Sequence, residues 1–249
     1  MLHRSPDTDS DSAGGDAPAA DTLLDQIFDG LRHKASAKQI IWRHAQALFA
    51  ELREVSQEVV AELSRRLTPV DDSVIIEYKA VSEFEIQIRF SGDLLVFMLH
   101  SNIVTFADDY PLLQSDYVQE DFRRRFFGHI MAYNFMADAL RYARLQDTGY
   151  LMGRLLVNIE QKIFLEGAQE LNMPVAERAA VQPLDPNRDT LRAFVESAMI
   201  AAVNNDLLAP DLDAIRLLTV KQKLENQQLN QPPRKVGFTF GLGGPGVGM

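Results

Sequence analysis

The amino-acid sequence predicts an α+β fold: a mainly antiparallel sheet of about six or seven strands packed against a long N-terminal helix and C-terminal helices. Three observations predict it. The run Ser82 to Phe90 alternates polar and apolar residues without a break, which places Phe84, Ile86, Ile88 and Phe90 on one strand face and Glu83, Glu85, Gln87 and Arg89 on the other. Between Ser36 and Leu67, Ile41, Ala45, Leu48, Leu52, Val55 and Val59 recur at spacings of four and three, the signature of one helical face. The strand patterns gather between Ser73 and Gly167, with helical patterns before and after them rather than interleaved.

In chain order, residues 1–20 are rich in Asp, Ser, Gly, Ala and Pro and lack an apolar period, so they are expected to be disordered. A single α+β domain is expected over residues 21–229. Asp21 to Gly30 reads as a short amphipathic helix with Leu24, Ile27, Phe28 and Leu31 on one face, and Gly30 as its break or cap. Ser36 is placed to cap the long helix, which Thr68-Pro69 stops; Arg65 and Arg66 suit its negative end. So short a heptad run suits a helix laid across a sheet, or paired with its twin, better than an extended coiled coil.

Val74–Ala80, Phe84–Phe90 and Leu94–His100 then form a meander, the last two joined by a turn at Ser91-Gly92-Asp93 in which Gly tolerates positive φ. Both faces of Leu94–Leu99 are apolar, so this strand is expected to be central and covered on both sides. Tyr110-Pro111 opens an acidic loop, and Phe126–Phe135 resumes the strand pattern. Residues 137–145 fit a helix or a strand. Leu151–Asn158 and Lys162–Glu166 read as a last hairpin, Asn172–Asp189 as a connector, and Leu191, Phe194, Val195, Ala198 and Ala202 as a helix face. A final helix from Pro210 to Gln228 competes with a strand at 214–220, and residues 230–249 form a Gly- and Pro-rich tail expected to be mobile.

Composition bounds the function. The 249 residues are 46% apolar and 24% charged, as in a soluble globular protein, and carry a formal charge of -10. Residues 1 to 25 hold six Asp against Arg4, half of that excess, so the folded part is mildly acidic and a nucleic-acid partner is not expected. Arg123, Arg124 and Arg125, the dense basic run, are expected to form an exposed turn or a strand entry. With no cysteine there is no disulfide, thiolate nucleophile or Cys-type metal site. No signal-like or membrane-spanning apolar segment is seen, so a cytoplasmic protein without membrane contact is expected.

No cofactor or metal is implied. Gly241-Leu-Gly-Gly-Pro-Gly246 satisfies G-x-G-x-x-G in letters, but it lacks a strand before it and a helix after it. The five histidines show no metal spacing, and no catalytic set is assigned. Arg89, His129, Tyr133, Arg154, Asn158 and Glu160 are the candidate ligand-binding residues, on a polar sheet face and beside the aromatic strand residues. That face, alternating with an apolar one, is expected to be largely open to solvent. Arg234, Lys235, Phe238 and Phe240 are the candidate partner-binding residues, because aromatic anchors beside cations suit insertion into a partner's groove.

The blocks Tyr133-Asn-Phe-Met-Ala-Asp138, Asp147-Thr-Gly-Tyr-Leu-Met-Gly-Arg-Leu-Leu-Val-Asn158 and Phe164-Leu-Glu-Gly167 resemble a group of uncharacterised bacterial proteins over roughly residues 36 to 240. The resemblance implies a bacterial, cytosolic origin and carries no site residue with it. The expected function is therefore that of a non-enzymatic interaction protein, self-associating or engaging a protein partner through the long helix or the aromatic tail. The alternatives are a small-ligand sensor and, third, an acid-base enzyme that needs two of Glu85, His100, His129 and Glu160 to converge.

Overall fold

The computed structural model describes residues 22–145, 147–167, 180–204 and 220. The features read at residues 1–20, in the first part of the connector, around Pro210 and in the tail that holds Arg234, Lys235, Phe238 and Phe240 lie outside the described residues. The chain separates into two units, Met1–Ser36 and Ala37–Met249.

In the second unit, strands β1 (Ile76–Ser82), β2 (Glu85–Phe90), β3 (Asp93–Leu99), β4 (Gly128–Met136), β5 (Tyr150–Val157) and β6 (Ile163–Glu166) pair in sequence order into one antiparallel six-stranded sheet. Ile86, Ile88 and Phe90 are buried on one face, as their alternation requires. The run does not begin at Ser82, however: that residue closes β1, and its hydroxyl accepts a hydrogen bond from the Phe84 amide at 3.1 Å inside the hairpin turn. In the next turn the left-handed residue is Ser91, at φ 54°, and not Gly92. Strand β3 is central, and five of its six apolar residues are buried, Met98 being intermediate.

Helix α2 (Ser36–Leu67) lays its predicted seam on the sheet, with Ile41, Ala45, Leu48, Leu52, Val55 and Val59 all buried. The contact is close at Gly128, where a Cβ would stand 2.6 Å from that of Ala45. Helix α5 (Arg188–Val203), capped by the Asn187 side chain on the Thr190 amide, joins the same core through Leu191, Phe194, Val195 and Ala198. Phe194 meets Phe97 of β3 edge to face, with ring centroids 5.9 Å apart.

Residues 101–127 fold over the opposite face of β4, β5 and β6 through two 3₁₀ turns and the short helix α3 (Asp116–Gln119). Leu112, Leu113, Val118 and Phe127 pack there on Leu156 and Phe164 in a second core. After β4 the ambiguous stretch becomes helix α4 (Ala137–Arg141).

The first unit holds helix α1 (Leu23–Gly30), which starts at a capping box. Thr22 Oγ1 accepts from the Asp25 amide, and the Asp25 carboxylate accepts from the Thr22 amide at 3.0 Å. Gly30 does not break the helix, and Ser36 does not cap the next one. Helical turns continue from α1 into a π-helical turn, Leu31–Ala35, and Ser36 Oγ donates back to the Leu31 carbonyl at 3.4 Å.

Candidate functional sites

The six predicted ligand-binding residues do not converge. Arg89 sits on β2 beside Glu77, at 3.6 Å, whereas Arg154 lies three strand spacings away on β5, about 14 Å across the sheet. The Arg154 end of the polar face is also not open. Its guanidinium is held by Glu166 of β6, donates to the Tyr110 hydroxyl at 3.3 Å and stacks over the Phe106 ring at 4.9 Å. Alternation along β5 cannot reveal this roof, because Phe106 and Tyr110 come from a loop some fifty residues earlier in the chain.

Asn158 and Glu160 belong to a structural corner at the β5–β6 turn. The Asn158 side-chain oxygen accepts from the Glu160 and Lys162 backbone amides, each at 3.0 Å, and its side-chain NH₂ donates to the Tyr117 hydroxyl at 2.8 Å. Tyr117 in turn donates to Glu160 at 2.8 Å, and Arg124 donates to Glu160 at 3.0 Å. Burial, reinforced by the bond to Glu160, pushes the Tyr117 phenol up to about 12. The same bond from Tyr117, followed by the Arg124 contacts, holds the Glu160 carboxyl below its ordinary value. The arginine run forms a 3₁₀ turn in which Arg123 is exposed and Arg124 and Arg125 are half-buried, and each member has an acidic partner: Arg123 with Asp121, Arg124 with Glu120 and Glu160, and Arg125 with Asp108.

Of the four acid-base candidates, His100 and His129 do meet, ring edge to ring face at 4.5 Å between centroids. His129 is only 7% exposed, and neither ring nitrogen has a hydrogen-bond partner among the described residues. Burial, aided by His100 and Arg154, lowers its pKa to about 4, so it is neutral at pH 7. His100 Nδ1 accepts from the Asn102 amide at 3.1 Å. With so low a pKa, His129 is a weak base at pH 7. Tyr133 shares the strand face of His129, and its hydroxyl lies 3.4 Å from Met131 Sδ. Among the described residues no three His, Asp or Glu side chains come together as a metal site, and no helix is long and apolar enough to cross a membrane.

Two features remain that composition and motif reading did not single out as sites. The first is an apolar groove of about 710 Å³ at the far end of the helix layer, lined by Val59 and Leu63 of α2, Ile76 and Phe90 of the sheet, and Met199 and Val203 of α5. Its rim carries ion pairs, in which Arg192 bridges Glu62 and Glu196, and Arg66 pairs with Glu62. The second is α1. Leu23, Leu24, Ile27, Phe28 and the following Leu31 are all large and apolar, and all are between 58% and 78% exposed. The long-helix seam, by contrast, is spent on the protein's own sheet.

Comparison with protein-family models, with curated proteins and with solved structures finds no match.

Proposed function

We propose that this protein is a non-enzymatic interaction protein that engages another polypeptide through the apolar stripe of α1. The observation that carries the reading is the stripe itself. Four large apolar side chains on a helix with a complete N-terminal capping box, and Leu31 directly after it, are each more than half exposed, whereas scattered single apolar residues are what a surface ordinarily shows. An amphipathic helix presenting i, i+3, i+4 anchors is a recurrent recognition element. The arginines of the sheet face are engaged in ion pairs of the fold, Arg89 with Glu77 and Arg154 with Glu166, which favours the interaction reading over an enzymatic one.

The test is photo-crosslinking in cells from a reactive side chain placed at Phe28, with Lys79 on the edge strand β1 as the control position. Covalent polypeptide adducts are expected from position 28 and not from position 79. Equal yields at the two positions would remove the reading.

The groove favours a second reading, a small apolar ligand, because its volume and lining match those of ordinary ligand sites. A thermal-shift screen with medium-chain fatty acids and aromatic metabolites tests it, since any ligand of the native state raises Tm by mass action. No shift in the wild type, or an equal shift in a variant with Val203, an exposed lining residue, changed to Arg (Val203→Arg), would eliminate it.

A further inference from the structure

We infer that the polypeptide the α1 stripe binds is α1 of a second copy of this chain, laid antiparallel across a two-fold axis near Phe28; the inference rests on the interaction reading above. The stripe is self-complementary in shape, because Leu24, Ile27, Phe28 and Leu31 are spread about evenly around Phe28. Turning the helix end for end therefore sets apolar side chains against apolar side chains.

Charge selects the orientation. Asp25 of α1 and Arg32 of the π-helical turn that continues it are seven residues apart, close to two turns even with the wider π-helical step, so they lie on one flank of the stripe at opposite ends of it. In an antiparallel pair that flank faces its own copy, and a two-fold axis near Phe28 brings Asp25 of each copy beside Arg32 of the other. A parallel pair sets each residue level with itself and gains neither contact. The polar side of the segment carries Asp25 and Asp29 along with Arg32 and Lys34, so it lacks the cationic excess with which interfacial helices hold anionic lipid. Pairing two such stripes removes on the order of 1,000 Å² of surface in all, at the lower end of specific interfaces. The dimer is accordingly weak and governed by concentration.

Sedimentation velocity on the full chain from 1 to 300 μM tests this. The wild type is expected to move from monomer to dimer across that range, and Phe28→Asp to stay monomeric with unchanged thermal unfolding of the sheet core. Arg32→Glu replaces two attractive contacts by two repulsive ones and is expected to weaken the dimer about tenfold. The double swap Asp25→Arg, Arg32→Glu restores opposite charges across the axis and is expected to recover association, although it breaks the capping box. A loss caused only by helix fraying would deepen in the double variant.

A wild type that stays monomeric throughout overturns the inference, as does failure of the double swap to recover association, or co-sedimentation with phosphatidylserine vesicles in place of dimer formation. The crosslinks from position 28 separate the two failures. Adducts to a different polypeptide from a monomeric protein leave the interaction reading standing, and absence of adducts removes both.

Discussion

At the scale of single residues, His129 shows how burial changes what a side chain does. Its folded pKa of about 4 lies below the ordinary value of 6.5, so as pH falls the unfolded chain takes up the proton first. The stability that neutral His129 preserves is fully present above pH 6.5 and is lost progressively between pH 6.5 and 4, by about 3 kcal/mol at most. Urea unfolding of wild type and His129→Phe at pH 7, 5.5 and 4.5 checks this. The variant is expected to lose markedly less stability over that interval, and parallel profiles would exclude His129 as a source of acid sensitivity.

Gly128 makes the opposite demand, for the absence of a side chain. The added Cβ of Gly128→Ala would meet the Ala45 Cβ at 2.6 Å, and both atoms sit on the stiff elements β4 and α2. A loss of about 1–3 kcal/mol is expected, the usual cost of overpacking, measurable as a lower urea midpoint. Substitution at Gly92, whose built Cβ meets nothing within 4 Å, provides the comparison. Neither residue announces its role in the sequence, because what each one touches is brought from far along the chain.

At the scale of elements, α1 is stabilised locally, with none of its own residues buried. Its capping box therefore matters more than a cap does on a docked helix, since packing supplies most of the stability of an ordinary helix. Thr22→Ala is expected to cost about 1 kcal/mol of α1 helix stability. Amide exchange should quicken for residues 24–28 while the core strands keep their protection, and uniform slowing or quickening along the chain would contradict this.

Helix α5 is held differently. Phe194, Val195 and Ala198 are buried in the core, and Arg188 and Arg192 reach Glu54, Glu58 and Glu62 of α2 across an exposed rim. Exposed pairs contribute little, so Arg188→Ala is expected to change stability by less than about 1 kcal/mol, whereas Phe194→Ala costs about 3–5 kcal/mol. Denaturant titrations of the two variants separate these contributions, and equal losses would show the rim to be as important as the core. The apolar periods of α2, α5, β2 and β3 were readable because each element repeats its demand every two or every three to four residues. The boundaries at Gly30 and Ser36 were misread because a glycine and a capping residue are tolerated inside a helix when the turns on either side continue.

At the scale of the whole molecule, α2, α5 and the sheet share one core, so the second unit is expected to unfold as one cooperative step. Trp42, the chain's single tryptophan, packs on Phe84 at 5.6 Å between rings and reports the docking of α2 on the sheet. Phe97→Ala, at a fully buried position in the central strand, is expected to lower the tryptophan-fluorescence and far-UV transitions together by about 3–5 kcal/mol. Transitions that separate would show that α2 and the sheet unfold independently.

By itself the sequence determined the α+β class, the antiparallel meander, the central place of β3 and the faces of α2 and α5, because burying an apolar face is a requirement each element states in its own periodicity. It also contained the α1 stripe, whose residues Leu24, Ile27, Phe28 and Leu31 are legible at helical spacing. Which apolar faces are covered, and by what, was decided only in the tertiary structure. The period of α2 fits a sheet-covering helix and a partner-seeking seam equally until its residues are seen buried, and the stripe of α1 is seen exposed. Likewise the polar residues of β2 and β5 read as one face, but three strand spacings and the loop carrying Phe106 and Tyr110 separate Arg89 from Arg154. Distance across a sheet and cover by a remote loop are long-range quantities, and no local period encodes them.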